Sequence, residues 1–338
     1  ETTAANAYLV AQYCDFSRLA NASNQALSWA AGGVDAGQRF ELRSCTVDAC
    51  GRVVANLGGL GSVHVILDHV AFGNEADALV AVQLINEGAA NASGTRLVAF
   101  CSAAKVFQPG SGNFRDFRFE DNALSQVAGA TAAIGTATMG PATWRRNLLY
   151  CPNSNGYPLA ARAIEDCYGV TDPVSGGDGN FHGIHINTAQ SGAFAIAGCV
   201  WEHTENGGDG EFSYITLNSG ATGTIDYVNN LFLPVGRPSA TGGMIIQTTP
   251  SPTIANAVTW RFRHNTIALG GLGGIAVGES AANRAGQIAE VKSNLFWDTA
   301  PRCPKRTSYS PSTVIAVDFA VLAGIEKNAA CNYSPTNT

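Results

Sequence analysis

Charged side chains are scarce in this chain, because only 14% of its 338 residues are Asp, Glu, Lys or Arg. Together with 38 glycines, this scarcity argues against a charged helical protein. The net charge of −6 comes with no basic tail or patch, so nucleic acid is not an expected partner. No run of about 18 apolar residues occurs, so no segment is predicted to span a bilayer.

Several short motifs are also missing in usable context: GxGxxG, the P-loop, GxSxG and HExxH. No CxxC or Cys/His spacing suggests zinc, so we predict no cofactor and no metal; calcium stays conceivable, but nothing indicates it. Nine cysteines are an odd number, so at least one is unpaired within the chain. Glu1 stands where a start methionine would be, which predicts a mature or excised segment. Composition and three glycosylation sequons favour an extracellular or cell-surface location.

What the chain does contain is one local pattern that returns at intervals of about 20 to 35 residues. The late copies FAIAGCVW (194–201), IDYVNNLF (225–232) and WRFRHNTI (260–267) display it best. We take one residue of each copy as its marker, with apolar residues three and five before it and usually two after it. The markers are Cys14, Cys45, His69, Asn122, Asn147, Cys167, Cys199, Asn230, Asn265, Asn294 and Asn328. Between His69 and Asn122, Cys101 and Ser102 compete for the marker position.

The residues before each marker alternate with period two, as Phe40 and Leu42 do with Glu41 and Arg43. Such alternation predicts a strand with one buried face that ends at the marker, followed by a bend. A second type of strand lies between markers, in which we align GIHINT (183–188), YITLNS (214–219) and GMIIQT (243–248). Its inward positions are predicted to include Ile184, Ile215 and Met244.

Strands that repeat in the same order predict an all-β, single-stranded parallel β-helix of about 11 to 12 rungs in one continuous domain over 1–338. Equivalent residues of successive rungs then stack at the strand spacing of ~4.8 Å. Asn tolerates the backbone angles of a bend, and stacked amides can bond to one another as a ladder. Cys14 above Cys45, and Cys167 above Cys199, would lie near disulfide distance, and both the bridged and the reduced state stay open.

The rung-end phrases VNNLF, RHNTIA and VKSNLFW resemble those of the parallel β-helix superfold of pectate lyases, polygalacturonases, phage tailspikes and bacterial surface proteins. The resemblance implies the architecture and the right-handed winding for nearly the whole chain, but no single activity. The lyases hold calcium with acidic residues on neighbouring rungs, and the polygalacturonases place three Asp near a Gly-His-Gly segment. Here only Asp318 is acidic in the outward columns of the second strand type, and His182-Gly-Ile-His185 does not match that segment, so no catalytic residue carries over.

The densest acid and histidine cluster comprises Glu202, His203 and Glu205, with His185 on the preceding rung. Two carboxylates and an imidazole suit acid–base chemistry, although a polar loop around GGDG explains them as well. Alternating charges elsewhere, such as Asp226, Arg261 and Glu290, predict cross-strand pairs. His64 falls at an inward position, and Trp297 is expected to point outward.

The leading expectation is a non-enzymatic extracellular stalk, adhesin or filament subunit that has glycans as a further partner. A polysaccharide lyase or glycoside hydrolase of the pectin-lyase-like fold is the first alternative, and a phage tailspike trunk is the second. Neither terminus supplies an evident cap, and open strand edges invite pairing. We therefore expect other copies of the chain, or flanking domains, as partners.

Overall fold

A computed structural model of the chain describes residues 8–19, 25–30, 38–48, 50, 52–56, 63–73, 80–85, 96–103, 106–109, 118–125, 143–151, 163–171, 181–189, 192–203, 210–217, 222–234, 246–248, 257–268, 288–292 and 295–297. These residues contain strands, bends and no helix. The chain divides into two compact units, of which unit 1 is 1–153 with 160–162 and unit 2 is 154–159 with 163–338. One continuous domain over 1–338 stays a prediction, and each unit is described by itself.

Unit 1 contains fourteen described strands in two parallel sheets. In chain order they are β1 (Tyr8–Gln12), β2 (Asp15–Ser17), β3 (Gln25–Ala30), β4 (Gln38–Asp48), β5 (Arg52–Asn56), β6 (Val63–Gly73), β7 (Val80–Ile85), β8 (Arg96–Ala99), β9 (Ser102–Ala103), β10 (Val106–Pro109), β11 (Arg118–Glu120), β12 (Ala123–Ser125), β13 (Thr143–Arg145) and β14 (Leu148–Cys151). The second sheet has the order β10-β7-β5-β3, and the other strands form the first sheet. Each strand of the first sheet pairs in parallel with its equivalent one turn later, as β4 does with β6 and β11 with β13.

Unit 2 repeats this plan. In chain order its strands are β15 (Ala163–Glu165), β16 (Tyr168–Thr171), β17 (Phe181–Ala189), β18 (Gly192–Ala197), β19 (Val200–His203), β20 (Gly210–Leu217), β21 (Thr222–Val228), β22 (Leu231–Pro234), β23 (Ile246–Thr248), β24 (Ala257–Arg263), β25 (Thr266–Ala268), β26 (Ile288–Lys292) and β27 (Leu295–Trp297). The second sheet is β17-β20-β23, and the remaining strands form the first sheet. Successive parallel pairing of this kind makes each unit solenoid-like, as the repeat predicted.

Most of the predicted inward positions whose side chains the structure describes are buried, although Phe16 is half-buried. Phe40, Leu42 and Val47 line the core of unit 1, and Ile225, Tyr227 and Phe232 line that of unit 2. Large rings from successive turns stack there, with the Phe119 and Trp144 ring centroids 4.2 Å apart. Burial of these apolar side chains is the main favourable term for the fold.

Two details of the sequence interpretation of β6 were wrong. Val70, not His69, lies opposite Cys45, so His69 precedes the marker position and is exposed. The same one-residue shift moves His64 off the inward face, and it is half-buried rather than a core residue. The sequence interpretation put the marker at His69 because histidine is polar, as the asparagine markers are. Val70 is apolar, so its side chain does not indicate a marker position.

The second sheet keeps the predicted parity but has another register. Ile215 lies opposite Ile186 rather than Ile184, and Thr248 rather than Met244 lies opposite Ile215. Both shifts are even numbers of residues, so the pairing keeps the parity of the predicted alignment as far as Ile186. A β-bulge between Ile186 and Ala189 then changes the register again, so that Ala189 lies opposite Leu217.

Candidate functional site

The marker positions form one column at the bend of each unit. In unit 1 the column is Cys14, Cys45, Val70, Cys101, Asn122 and Asn147; in unit 2 it is Cys167, Cys199, Asn230 and Asn265. We call these two sets the bend columns. Cys101, rather than Ser102, therefore takes the contested place. Asn294 and Asn328 lie outside the described residues.

A left-handed residue directly before the marker makes each bend. Tyr13, Asp121 and Arg146 have φ values of 55°, 55° and 53° in unit 1, and Asn229 and His264 have 55° and 57° in unit 2. The sequence interpretation put the unusual angle on the marker itself, but it falls one residue earlier. Its N–H donates to a carbonyl of the next turn, as Asn229 does to Arg263 at 3.0 Å. The turn therefore keeps the ladder of main-chain bonds intact through the bend.

The asparagine amides bond to one another as the ladder prediction required. Asn122 Nδ2 donates to Asn147 Oδ1 at 2.9 Å, and Asn230 Nδ2 donates to Asn265 Oδ1 at 2.9 Å. The same Oδ1 atoms also accept the main-chain N–H of Asn122 and Asn230 at 3.0 Å. All four side chains are buried, so these bonds satisfy polar groups that would otherwise be costly.

Each amide also reaches back to the main chain of the preceding turn. Asn122 Nδ2 donates to Val98 O at 2.9 Å and Asn147 Nδ2 donates to Phe119 O at 2.8 Å. In unit 2, Asn230 and Asn265 donate in the same way to Ile196 O and Tyr227 O at 2.8 and 2.9 Å. One side chain therefore connects two turns through both of its polar atoms.

Cysteine thiols take the same two roles with weaker bonds. Cys101 Sγ faces Leu67 O at 3.6 Å, and Cys199 Sγ faces Ile164 O at 3.5 Å, the positions that an Asn amide would contact. The Cys101 sulfur also accepts the main-chain N–H of Val70, which is the role of Oδ1 in the asparagines. Cys14, Cys45, Cys167 and Cys199 are free thiols, so the reduced alternative describes both stacked pairs.

Burial keeps the thiols of Cys101 and Cys199 protonated. It raises the pKa of Cys101 to about 12, and the Val70 N–H offsets only part of that effect. The pKa of Cys199 is raised by its hydrogen bond to Cys167 and by burial. Protonated thiols are poor nucleophiles, so both residues are inert as long as the fold is intact.

Cys50 belongs to a second, smaller bend that the sequence interpretation missed. Its thiol contacts Phe16 O of the preceding turn at 3.4 Å and Asp48 O at 3.3 Å, and the side chain is buried. Arg18, directly before the equivalent position of the preceding turn, has a left-handed φ of 54°. A second Cys five residues after Cys45 was the available signal.

The candidate acid and histidine cluster is only partly described. Glu202 and His203 end β19, whereas His185 lies in β17 of the other sheet of unit 2, and Glu205 is outside the described residues. Glu202 is half-buried and accepts a hydrogen bond from the Tyr168 hydroxyl, which raises the pKa of that tyrosine. Within the described part of the chain, no group of three His, Cys, Asp or Glu side chains is arranged to hold a metal ion.

The outward charged residues form ion pairs across neighbouring turns. Asp226 contacts Arg263 at 2.9 Å and Arg261 at 3.9 Å, and Asp121 receives two bonds of 2.7 Å from Arg146. That guanidinium lowers the pKa of Asp121. Glu41, which is buried, lies between Arg39 and Arg43 at 3.3 and 3.4 Å. The Asp226–Arg261 contact agrees with the expected pairing of alternating charges across strands, whereas the contacts of Glu41 lie within its own strand.

Comparison with known proteins does not assign the chain to a family. No family model matches the chain, and no curated protein and no solved structure matches it. No helix in the described residues is long and apolar enough to cross a membrane. The class that the geometry defines is therefore a parallel β protein with solenoid-like pairing, and its function has to be argued from its own residues.

Proposed function

We propose that this chain is a non-enzymatic extracellular or cell-surface structural protein: a stalk, adhesin or filament subunit that contacts glycans. Its finer architecture in this proposal is a single-stranded right-handed parallel β-helix of the pectin-lyase-like kind, with about 11 to 12 rungs. Its partners are other copies of the chain or flanking domains.

The observation that carries the proposal is how the buried polar groups are used. Asn122, Asn147, Asn230 and Asn265 are buried, and their amides bond to neighbouring amides and main-chain carbonyls of adjacent turns. An enzyme commonly holds buried polar groups with perturbed pKa values in a cleft, toward a substrate. Here the same kind of group stabilises the stacking of turns, which is what a load-carrying stalk requires.

Activity assays test the non-enzymatic part. The protein is incubated with polygalacturonate, alginate and related uronic-acid polymers, with and without calcium, and unsaturated or reducing products are measured. We expect no product above that of a heat-denatured control. Product formation that Glu202→Gln abolishes, with an unchanged melting temperature, would overturn the proposal.

The same assay decides the alternative of a polysaccharide lyase or hydrolase. One contact favours it: Glu202 accepts a hydrogen bond from Tyr168, and His203 follows Glu202 in β19. A carboxylate that is oriented by a phenol is a reasonable general acid or base. In that case Tyr168→Phe lowers the turnover number more than the KM.

Light scattering tests the partner proposal and the tailspike alternative. Parallel strands bond to the turn before and the turn after, so a strand of another copy can continue the same pattern. We expect association that increases with protein concentration. A stable trimer at all concentrations assigns the chain to the tailspike alternative instead, and a monomer at high concentration removes self-association from the proposal.

A further inference from the structure

An outward column of left-handed residues runs beside the bend column of unit 1. We call it the ridge, and its members in order are Tyr13, Ser44, His69, Phe100, Asp121 and Arg146. Two of these residues are large apolar rings in solvent. Tyr13 is 78% exposed and Phe100 is 52% exposed.

The stability of the fold does not explain why aromatic residues occupy positions 13 and 100. A left-handed angle costs an ordinary L-residue roughly 1–2 kcal/mol, whereas Asn, Asp and Gly adopt it readily. Four equivalent positions follow that rule, with Asp121 in unit 1 and Asp166, Gly198 and Asn229 in unit 2, whereas Ser44, His69, Arg146 and His264 carry other side chains at the same angle. Tyr13 and Phe100 accept the angle at φ 55° and 53° and leave apolar surface in water as well. Strained and exposed side chains of this kind are typical of ligand contacts.

Two rings of the ridge are stacked on one another in a fixed orientation. The His69 and Phe100 rings stack with centroids 4.6 Å apart and planes at 21°. Asp68 holds the imidazole through a 2.7 Å contact from Oδ1 to His69 Nδ1, and its other oxygen contacts Arg43 at 3.2 Å. A carboxylate therefore fixes the orientation of the two-ring platform and stands at its edge, where it can accept hydrogen bonds.

We propose that the ridge binds a neutral polysaccharide, with sugar rings stacked on the Phe100–His69 platform and on Tyr13, and hydroxyls bonded to Asp68 and Ser44. The proposal rests on the adhesive part of the proposed function and names its ligand class. The apolar faces of pyranose rings fit aromatic surfaces, and the hydroxyl edges fit carboxylates. A uronic-acid polymer fits less well, because Arg43 is already paired with Glu41 and Asp68 and the chain carries a net charge of −6.

Affinity electrophoresis in native gels tests the ridge. The gels contain a soluble β-glucan, a galactomannan, polygalacturonate or no polymer, and a protein that binds the polymer migrates more slowly. We expect retardation by at least one neutral polymer and none by polygalacturonate. Phe100→Asn is expected to weaken the interaction about tenfold or more, which is the loss of one stacking contact.

The same variant has a second, opposite readout. Asn suits the left-handed angle, so the melting temperature of Phe100→Asn is expected to stay equal or rise while binding falls. Phe100→Leu removes the ring but keeps apolar bulk, and it serves where the Asn variant folds poorly. Tyr150→Asn is the matched control, because it removes an exposed ring of unit 1 outside the ridge and is expected to leave binding unchanged.

Three results would contradict the proposal. They are retardation by no neutral polymer, equal retardation of wild type and Phe100→Asn, or self-association that Phe100→Asn abolishes without any glycan effect. The last assigns the ridge to a protein partner. None of these results would contradict the proposed non-enzymatic structural function, because the assays for unsaturated or reducing products test it separately.

Discussion

At the scale of single residues, Gly169 shows how one turn makes room for the next. It occupies an inward position whose partner on the next turn is Trp201. A Cβ built on Gly169 would meet the Trp201 ring at 2.5 Å, so the indole fills the space of the missing side chain. Trp201 is itself fully buried. The small and the large residue therefore form one packing unit.

Gly169→Ala is expected to lower the free energy of unfolding by about 1–3 kcal/mol, because the added methyl forces a rigid, buried ring to move. Chemical denaturation measures the loss. Gly73→Ala is the matched control, since its Cβ meets only Asp48 Oδ1 at 3.4 Å and causes little change. Equal losses in both variants would mean that the general cost of replacing a strand glycine, rather than the Trp201 contact, decides the outcome.

Cys101 is expected to make the free energy of unfolding decrease as the pH rises. Its pKa rises from 9.0 to about 12 on folding, so the folded state keeps a proton that the unfolded state loses above pH 9. The stability that this thiol contributes is therefore fully present below pH 9 and declines between pH 9 and 12, by up to about 1.4 kcal/mol per pH unit. Denaturation midpoints across this range measure the slope.

Cys101→Asn separates this thiol from other groups that titrate at high pH. The substitution extends the Asn122–Asn147 ladder by one amide, since Cys101 already occupies the same position and makes the same contacts. Stability at pH 7 is expected to hold, and the decline above pH 9 is expected to become shallower than in wild type. An identical decline in both proteins would assign it to other residues.

At the scale of strands, the pairing of β21 with β24 brings Asp226 against two cations, Arg261 and Arg263. All three side chains are partly exposed, so Asp226→Asn is expected to cost only about 0.2–1 kcal/mol. Asp226→Lys places three like charges on neighbouring strands and costs more. The difference between the two variants is expected to shrink in 1 M salt, which urea denaturation at two ionic strengths measures. A difference that salt leaves unchanged points to packing instead of charge.

Strand-level features were also the ones that the sequence predicted best. Period-two alternation gave the buried positions such as Phe40 and Tyr227, because burial on one face of a strand requires it. Among the markers that the structure describes, only His69 was misplaced, because Val70 takes that position. The register in the second sheet was predicted wrongly, since it depends on the lengths of loops and on a bulge that the alternation of apolar residues does not reveal.

The proposed ridge was harder to predict for a related reason. The left-handed angle is signalled where the residue is Gly198, Asn229 or Asp121, but Tyr13 and Phe100 carry no such signal on their own. An alignment of all the bends is needed to see that Tyr13 and Phe100 occupy the left-handed position, where Asn or Gly would be less strained. The sequence interpretation pointed to Trp297 as the exposed ring, and its side chain lies outside the described residues.

At the scale of the whole molecule, a solenoid differs from a globular protein in how far the destabilisation caused by one substitution extends along the chain. Each turn contacts its neighbours only, so stability is close to a sum of turns and interfaces. Asn230→Ala leaves Cys199 N–H without its acceptor and Ile196 O without its amide donor, at about 1–3 kcal/mol for each buried group. Asn122→Ala does the same to Cys101 N–H and Val98 O.

Hydrogen exchange of the two variants is therefore expected to give complementary maps. In Asn230→Ala, amides of 192–203, 222–234 and 257–268 lose most protection, whereas those of 38–48 and 63–73 keep theirs. In Asn122→Ala, protection is lost in 96–103, 118–125 and 143–151, and 222–234 is unaffected. Mass spectrometry of peptic fragments measures both maps in one experiment. A uniform loss along the chain in either variant would show that the protein unfolds as a single cooperative body, and the solenoid would then no longer explain its stability.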